Sequence, residues 1–447
     1  MNGGLKMKTS LFALAAAATL VATGASAADL GGNCCADLEE RIAELEATTA
    51  RKGNRKVKLT VSGWVHEQVM YWDDGGERNT YVFTGPAPTR FRFVGDAKIS
   101  NDVTAGYLLE IGAYSALPGT ANATGGISRD SDEGRTDLNF QVRHSAWWLA
   151  HKQLGKLWVG QTSQATDSIT EINLANTGMF TAPGVSVIQV GAFSPRTAAN
   201  VNSGILVTNF FGGAALQQIG EGERFNVIKY ETPTIAGFTG SAAFGEDDMW
   251  DIALRYAGEH HGFKLAAGIG YQEFTDGNVT ANAIGFTRGC VSTATNGVTG
   301  DVKCSQVGLS ASIMHLATGL YVTGAYGHRD DDRRKEVFGV DAKKGDTMWY
   351  LQAGIEQNWL GFGKTTLFGE YLNNDQGHIT AANGALEGRM WGLGINQAID
   401  AAAMNLYMVY RDHSFDQWGV TATGGQGVKG AELQDIRTFT VGGNIQF

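Results

Sequence analysis

Proline is scarce, at 6 in 447 residues, and cysteine is scarcer, at 4. Beyond the N-terminus there is no apolar run of 18 residues, which excludes a bundle of membrane-crossing helices. A cationic excess is missing too. With 35 Lys and Arg against 45 Asp and Glu, the chain has no basic face for a nucleic-acid partner. Apolar residues are not lacking, at 43%, so a disordered chain is also excluded. No histidines gather round the cysteines, so no zinc site is expected. Glycine, by contrast, is abundant at 61 residues, and aromatics reach 10%. Spread evenly, these compose many strands and turns.

The first 27 residues read as a secretory signal. Lys6 and Lys8 are the positive start, Leu11 to Gly24 is a short apolar stretch, and Ala25-Ser26-Ala27 is the small-residue cleavage site. Met7 is an alternative start. Cleavage after Ala27 removes two lysines and takes the formal charge from −10 to −12. Residues 28–54 differ from all that follow. Asp37 and Glu40 form a capping pattern, and Leu38, Ile42 and Leu45 recur at spacings of four and three. That is an a/d seam of two heptads at most. A helix so short is marginal alone, so the seam predicts self-association.

From residue 55 onwards the period is two. Expected strands are 57–70, 89–100, 103–113, 137–151, 157–161, 224–231, 238–245, 249–257, 263–271, 305–316, 320–328, 347–359, 364–372, 386–398, 404–411 and 433–447. In the second, Phe91 and Phe93 alternate with Arg90 and Arg92. In the fourth, Leu138, Phe140, Val142, Ala146 and Trp148 are assigned to one face, and Asn139, Gln141, Arg143 and Ser145 to the other. Connections after odd strands are long and those after even strands short, with Thr162 to Glu223 by far the longest. This asymmetry, with an even strand number and no exposed edge, predicts an all-β fold: a 16-stranded antiparallel transmembrane barrel behind a short N-terminal helix. Barrels of this size leave an aqueous channel. The apolar face is assigned to lipid and the Arg, Asn, Gln, Ser and Gly face to the lumen. Trp64, Trp72, Trp148, Trp349, Trp359 and Trp391 near strand ends are expected to form interfacial girdles. Trp147 and Trp158 are candidates to point inward.

Arg90, Arg92, Arg143, Arg224, Arg255 and Lys264 fall on expected lumen positions, a ladder of cations. No catalytic constellation emerges: Ser163, His144 and Asp167 lack the strand-to-helix elbow of a serine nucleophile. No enzyme activity, cofactor or metal is expected. Cys290 and Cys304 flank a polar stretch and are expected to close it as a disulfide. Cys34 and Cys35 leave inter-subunit bonds and free thiols both open.

The run Cys34-Cys35-Ala36-Asp37-Leu38-Glu39-Glu40-Arg41, leading through Gly53-Asn54-Arg55-Lys56 into Leu59-Thr60-Val61-Ser62-Gly63-Trp64, resembles the general porins of alphaproteobacteria. So do Arg90-Phe91-Arg92-Phe93-Val94-Gly95 and the terminal Phe447. The resemblance covers nearly all of the mature chain. It implies a homotrimer in the bacterial outer membrane, surrounded by lipid and lipopolysaccharide, with a periplasmic N-terminus. The function implied is a water-filled channel for passive diffusion of small hydrophilic solutes and ions. A substrate-selective channel is the runner-up, and an outer-membrane enzyme or adhesin the third reading. The resemblance also folds the loop 162–223 into the channel, where Asp167 and Glu171 would face the cations. The Ala28-Asp29 start implies attachment of the Ala28 amine to peptidoglycan.

Overall fold

The computed structural model describes residues 56–115, 138–212, 218–245, 248–275, 303–332, 334–335, 341–377, 384–420 and 426–447. The expected signal, the 28–54 segment with Leu38, Ile42 and Leu45, Ala28, Cys34, Cys35 and Cys290 all lie outside them.

The strands are β1 (Lys58–Asp73), β2 (Arg78–Thr84), β3 (Thr89–Lys98), β4 (Val103–Ser115), β5 (Leu138–His151), β6 (Gly155–Ser163), β7 (Arg224–Glu231), β8 (Phe238–Gly245) and β9 (Trp250–His260). They continue as β10 (Phe263–Phe274), β11 (Cys304–His315), β12 (Leu320–Asp331), β13 (Gly345–Gln357), β14 (Thr365–Gln376), β15 (Ala385–Ile399), β16 (Met404–Val420), β17 (Gln426–Lys429) and β18 (Ile436–Gln446). Both β2 and β3 pair antiparallel with β1, the upper and lower halves of one stave broken at Gly85-Pro86-Ala87-Pro88. Proline cannot donate to the ladder, so the pairing stops there. β17 and β18 likewise share β16 as partner. The barrel therefore has sixteen staves, closed where β1 pairs with β18 from Trp64↔Gln446 to Asp73↔Arg437.

Alternation explains the wall. On β1, Val61, Val65 and Val69 are 42–51% exposed on the outside, while His66, Gln68, Met70 and Trp72 are buried inside. Short turns join the staves at one end. Between β9 and β10, His261 and Gly262 both have positive φ, the requirement of a two-residue hairpin turn that matches strand twist. At the loop end Tyr71, Phe439, Tyr410, Trp391, Tyr371, Trp349 and Tyr326 form an aromatic belt on neighbouring strands.

The sequence reading needs four corrections. β1 runs on to Asp73 and forms a hairpin with β2, where a plain loop from Tyr71 to Pro88 was expected. On β5 a bulge opposes Arg143 to the gap between Glu110 and Ile111. One extra residue reverses the parity, so Val142 faces out, Arg143 and His144 both face in, and Trp147 rather than Trp148 meets the membrane. Trp64, Trp72 and Trp148 also face inward, so only Trp349, Trp359 and Trp391 of the expected girdle are outside. Lastly, the inner face is not uniformly polar. Met70, Trp72, Met348, Leu372, Met390 and Phe415 point inward against apolar residues of the long loop, the largest apolar core among the described residues.

Candidate functional site

Residues 164–212 and 218–223 lie within the barrel along its inner wall. The path begins where Thr166 donates through N–H and Oγ1 to Asp251 on β9, both at 2.7 Å. The Ile172 and Leu174 amides donate to Ser310 and Ser312 of β11. Asn173 reaches Gln352 of β13, and Asn176 reaches Glu356 of β13 and Asn405 of β16. Phe180 stacks on Tyr407 at 4.1 Å, and its carbonyl accepts from Arg411 at 2.6 Å. Two one-turn helices, α1 (Val185–Ile188) and α2 (Val207–Phe210), carry Val187, Val207 and Phe210 into the apolar core. Between them Gln189 bridges the barrel's closing seam: it donates to Gln68 of β1 at 3.1 Å and accepts from Thr440 of β18 at 3.3 Å. Arg196 pairs with Asp74 at 3.1 Å and with Glu77 at 2.5 Å in the β1–β2 turn.

Glycine makes the ledge. A Cβ on Gly308 or Gly327 would overlap the Gly220 or Ile219 carbonyl, and one on Gly268 would meet Ile169 and Ile172 at 2.7 Å. The inward glycines of β11 and β12 let the returning arm of the loop touch bare backbone, and that of β10 leaves room for the outgoing arm's Ile169 and Ile172.

The two ends of the loop meet beside the opposite wall, where the charges gather. Glu110 of β4 is fully buried. Around it close Arg90 of β3 at 3.1 Å, Arg92 of β3 at 2.5 Å and Arg143 of β5 at 2.9 Å. The three guanidinium side chains keep 9–14% exposure and their carboxylate none, and the four groups sum to a formal charge of +2. Arg90 also lies over the Trp64 ring at 4.3 Å. The β5 bulge sets Arg143 and His144 side by side on the inner face. Arg224, at the loop end of β7, pairs with Glu223 at 2.9 Å. Burial works against ionisation of Asp167, but the Arg224 charge and a Ser163 hydrogen bond hold its carboxyl below the usual range. Glu221 behaves oppositely: burial and the neighbouring Glu171 push it well up, while its Oε2 accepts from the Thr170 N–H and hydroxyl.

Of the eight expected pore residues, the structure thus groups Arg90, Arg92 and Arg143, and sets Arg224 beside Asp167 with Glu171 near Glu221. Arg255 anchors the start of the loop, donating to the Ala165 and Asp167 carbonyls at 2.8 Å. Lys264 is apart, near Glu259 at 3.8 Å by the short turns. Sequence reasoning missed Glu110, although its signal was available. The tight Asn101-Asp102 turn sets the β3–β4 register, and that register puts Glu110 opposite Arg92. His144 turns its Nδ1 to Thr162 at 3.2 Å. Trp148 and Trp158 hold the Lys156 ammonium at 4.1 and 3.8 Å from their rings. Cys304, buried at the head of β11, is disulfide-bonded.

The model of the Gram-negative porin family matches residues 13–444. No curated protein sequence matches the chain. Among solved structures, an anion-selective porin from Comamonas acidovorans aligns with a TM-score of 0.52 at 16% identity, covering 88% of this chain and 100% of that one. OmpF of Salmonella typhi, in complex with daunomycin, gives 0.52 at 12% identity over 88% and 98%. OmpT of Vibrio cholerae in its trimer form gives 0.50 at 11% over 88% and 99%.

Proposed function

Because the chain belongs to the Gram-negative porin family, its barrel is an outer-membrane channel for passive diffusion rather than an enzyme, and we propose that solutes and ions cross it between the seated loop and the arginine-lined wall. One observation carries this reading. The loop is fastened to the wall from β9 round to β18 and β1, whereas the guanidinium group of Arg90, Arg92 and Arg143 caps a buried carboxylate on the other side. A cationic wall near the acids at the loop's two ends sets up a transverse field that orders water and orients polar solutes. Purified protein in a planar bilayer should give ohmic conductance that rises linearly with salt. Conductance that saturates, or is blocked by a particular sugar, would favour the substrate-selective reading instead. Absence of any conductance would defeat both.

The finer assignments belong to the same proposal. The signal is removed after Ala27, residues 28–54 form a periplasmic helix, and the barrel begins at 55. Cys290 and Cys304 form the disulfide. The chain resembles the alphaproteobacterial general porins and assembles as a homotrimer among lipid and lipopolysaccharide. The trimer form of a structural neighbour and the seam of Leu38, Ile42 and Leu45 both support that assembly. The Ala28 amine, with an ordinary pKa of about 7.7–8.0, is nucleophilic enough at neutral pH to carry a peptidoglycan link.

A further inference from the structure

The outside of the barrel is not equally apolar all round. From β8 to β18 the outward positions between the aromatic belt and the short turns are hydrocarbon or glycine apart from Tyr256, whose hydroxyl bonds His260; Leu254, Leu309, Leu351, Leu393, Met408 and Val441 are 40–58% exposed there. The sector from β1 to β7 differs. Glu67 of β1 is outward and exposed, and Thr84 and Thr89 donate to its Oε1 at 3.4 and 3.3 Å. Among the described residues no cation pairs with it. Glu67 lies four residues below Tyr71 of the belt. That is about 13 Å of strand, and about 9 Å of depth at a 45° tilt, inside an apolar band about 25 Å tall. A second polar group stands further round: Ser145 of β5 opposite Gln161 of β6, with Asn226 of β7 beyond.

A carboxylate at that depth against lipid tails would be destabilising, and in its own subunit the described residues offer it two hydroxyl donors but no cation. We propose that the β1–β7 sector faces other copies of this chain, with Glu67 of one subunit accepting hydrogen bonds from Gln161 and Ser145 of the next. This deepens the trimeric reading above by naming the wall and the pairing. Two geometric facts support it. The register runs from Gln161 through Ser145, Leu109 and Phe93 to Val61. Neighbouring rows climb about one residue per stave, as the belt shows where Trp349 lies opposite Asn373, two positions from Tyr371. Four staves therefore bring Gln161 level with about Val65 to Glu67. The angle also fits. Sixteen staves share a full turn, about 22° each, and the Glu67–Thr84 and Ser145–Gln161 pairs stand three staves apart, about 68°. A ring of three identical subunits needs two different patches about 60° apart, a ring of four about 90°, and a two-fold pair a single self-complementary patch.

The sign of one substitution separates the alternatives. If Glu67 meets lipid, Glu67→Leu stabilises the assembled protein; if it meets a neighbour, Glu67→Leu shifts the trimer–monomer equilibrium towards monomer by about tenfold to a hundredfold per contact. Heating series on semi-native gels, with the folded monomer band scored separately, read this directly. Glu67→Gln, which keeps an acceptor, should retain most of the trimer. Gln161→Leu should add little in a Glu67→Leu background, because both remove the same contact. Cysteine cross-linking is independent of stability. In a background with Cys34 and Cys35 changed to Ser, the Glu67→Cys/Gln161→Cys double variant should oxidise to dimers and trimers, and neither single variant should. A trimer strengthened by Glu67→Leu, or no cross-links in a double variant that still forms trimers, would overturn the assignment. So would a protein that is monomeric throughout. Planar-bilayer conductance of the same preparations reports on the diffusion channel separately.

Discussion

Changing Arg92 and Arg143 to Gln while keeping Arg90 would remove two positive charges and leave the buried Glu110 one partner at 3.1 Å. Removing all three arginines would strand a buried carboxylate and risk several kcal/mol of destabilisation, so the double substitution is the cleaner probe. It takes the formal charge of these four groups from +2 to zero. For an ion passing about 7 Å away in water, each lost charge changes the energy by about 0.6 kcal/mol, or about 1.2 kcal/mol for both. At 0.1 M salt the Debye length of about 10 Å halves this. Cations then gain about threefold and anions lose about threefold, so the cation-to-anion permeability ratio rises about sevenfold to ninefold. With a tenfold KCl gradient, a channel near neutrality would shift its reversal potential by about 40 mV. At 1 M, where the Debye length is about 3 Å, the change in ratio should fall below about twofold. Conductance should rise as the constriction loses two long side chains. A reversal potential unmoved at 0.1 M in folded protein would show that ions do not pass this wall.

Four further outcomes are expected. Gly327→Val places side-chain carbon against the Ile219 carbonyl and should loosen the returning arm of the loop at a cost of about 1–3 kcal/mol, seen as larger, noisier single-channel currents. Glu221, with its pKa raised in the folded loop, favours the seated arrangement fully below its unfolded value of about 4.3, and that contribution is lost as pH rises towards the folded pKa. Thermal stability followed from pH 4 to pH 8 should therefore decline in the parent and stay flatter in Glu221→Gln. Ile42→Asn, which puts an amide into the Leu38–Ile42–Leu45 seam, should lower the trimer's dissociation temperature; equal melting after deletion of residues 28–54 would assign all contact to the barrel wall. Muramidase digests of purified sacculi should yield an Ala28 muropeptide adduct by mass spectrometry, and only the free amine would end that proposal.

The staves were legible because lipid on one side and the lumen on the other impose a period of two, as Phe439, Val441 and Ile445 against Thr438, Thr440 and Asn444 illustrate. Alternation breaks down where the backbone adds a residue. The Arg143 bulge is invisible in the pattern, since Ala146 and Trp148 continue the parity of Phe140 and Val142 until the bulge reverses it. The β2 hairpin was hidden because its outward positions, Thr80 and Val82, lie beside the proline-rich break that reads as loop. Inward Trp72 was read as a girdle residue, and inward Met70, Met348 and Phe415 were given no face. Their apolar character answers to the loop seated on the inner wall, and a strand pattern alone does not tell hydrocarbon outside from hydrocarbon inside. The cations were legible, since Arg90, Arg92 and Arg143 declare themselves by alternation, whereas the acid they surround, Glu110, needed the turn register.

Gln189 touches Gln68, which lies 121 positions earlier in the chain, and Thr440, which lies 251 later. During synthesis those partners are separated by almost the whole polypeptide, and they come together only when the first and last staves zip. The loop cannot settle on its ledge before β10, β11 and β12 have formed, nor finish settling before the seam is shut. Channel bore is therefore fixed late, by contacts whose chain separation makes them slow to form. A barrel caught with its seam unzipped would have most of its strands and an unformed constriction.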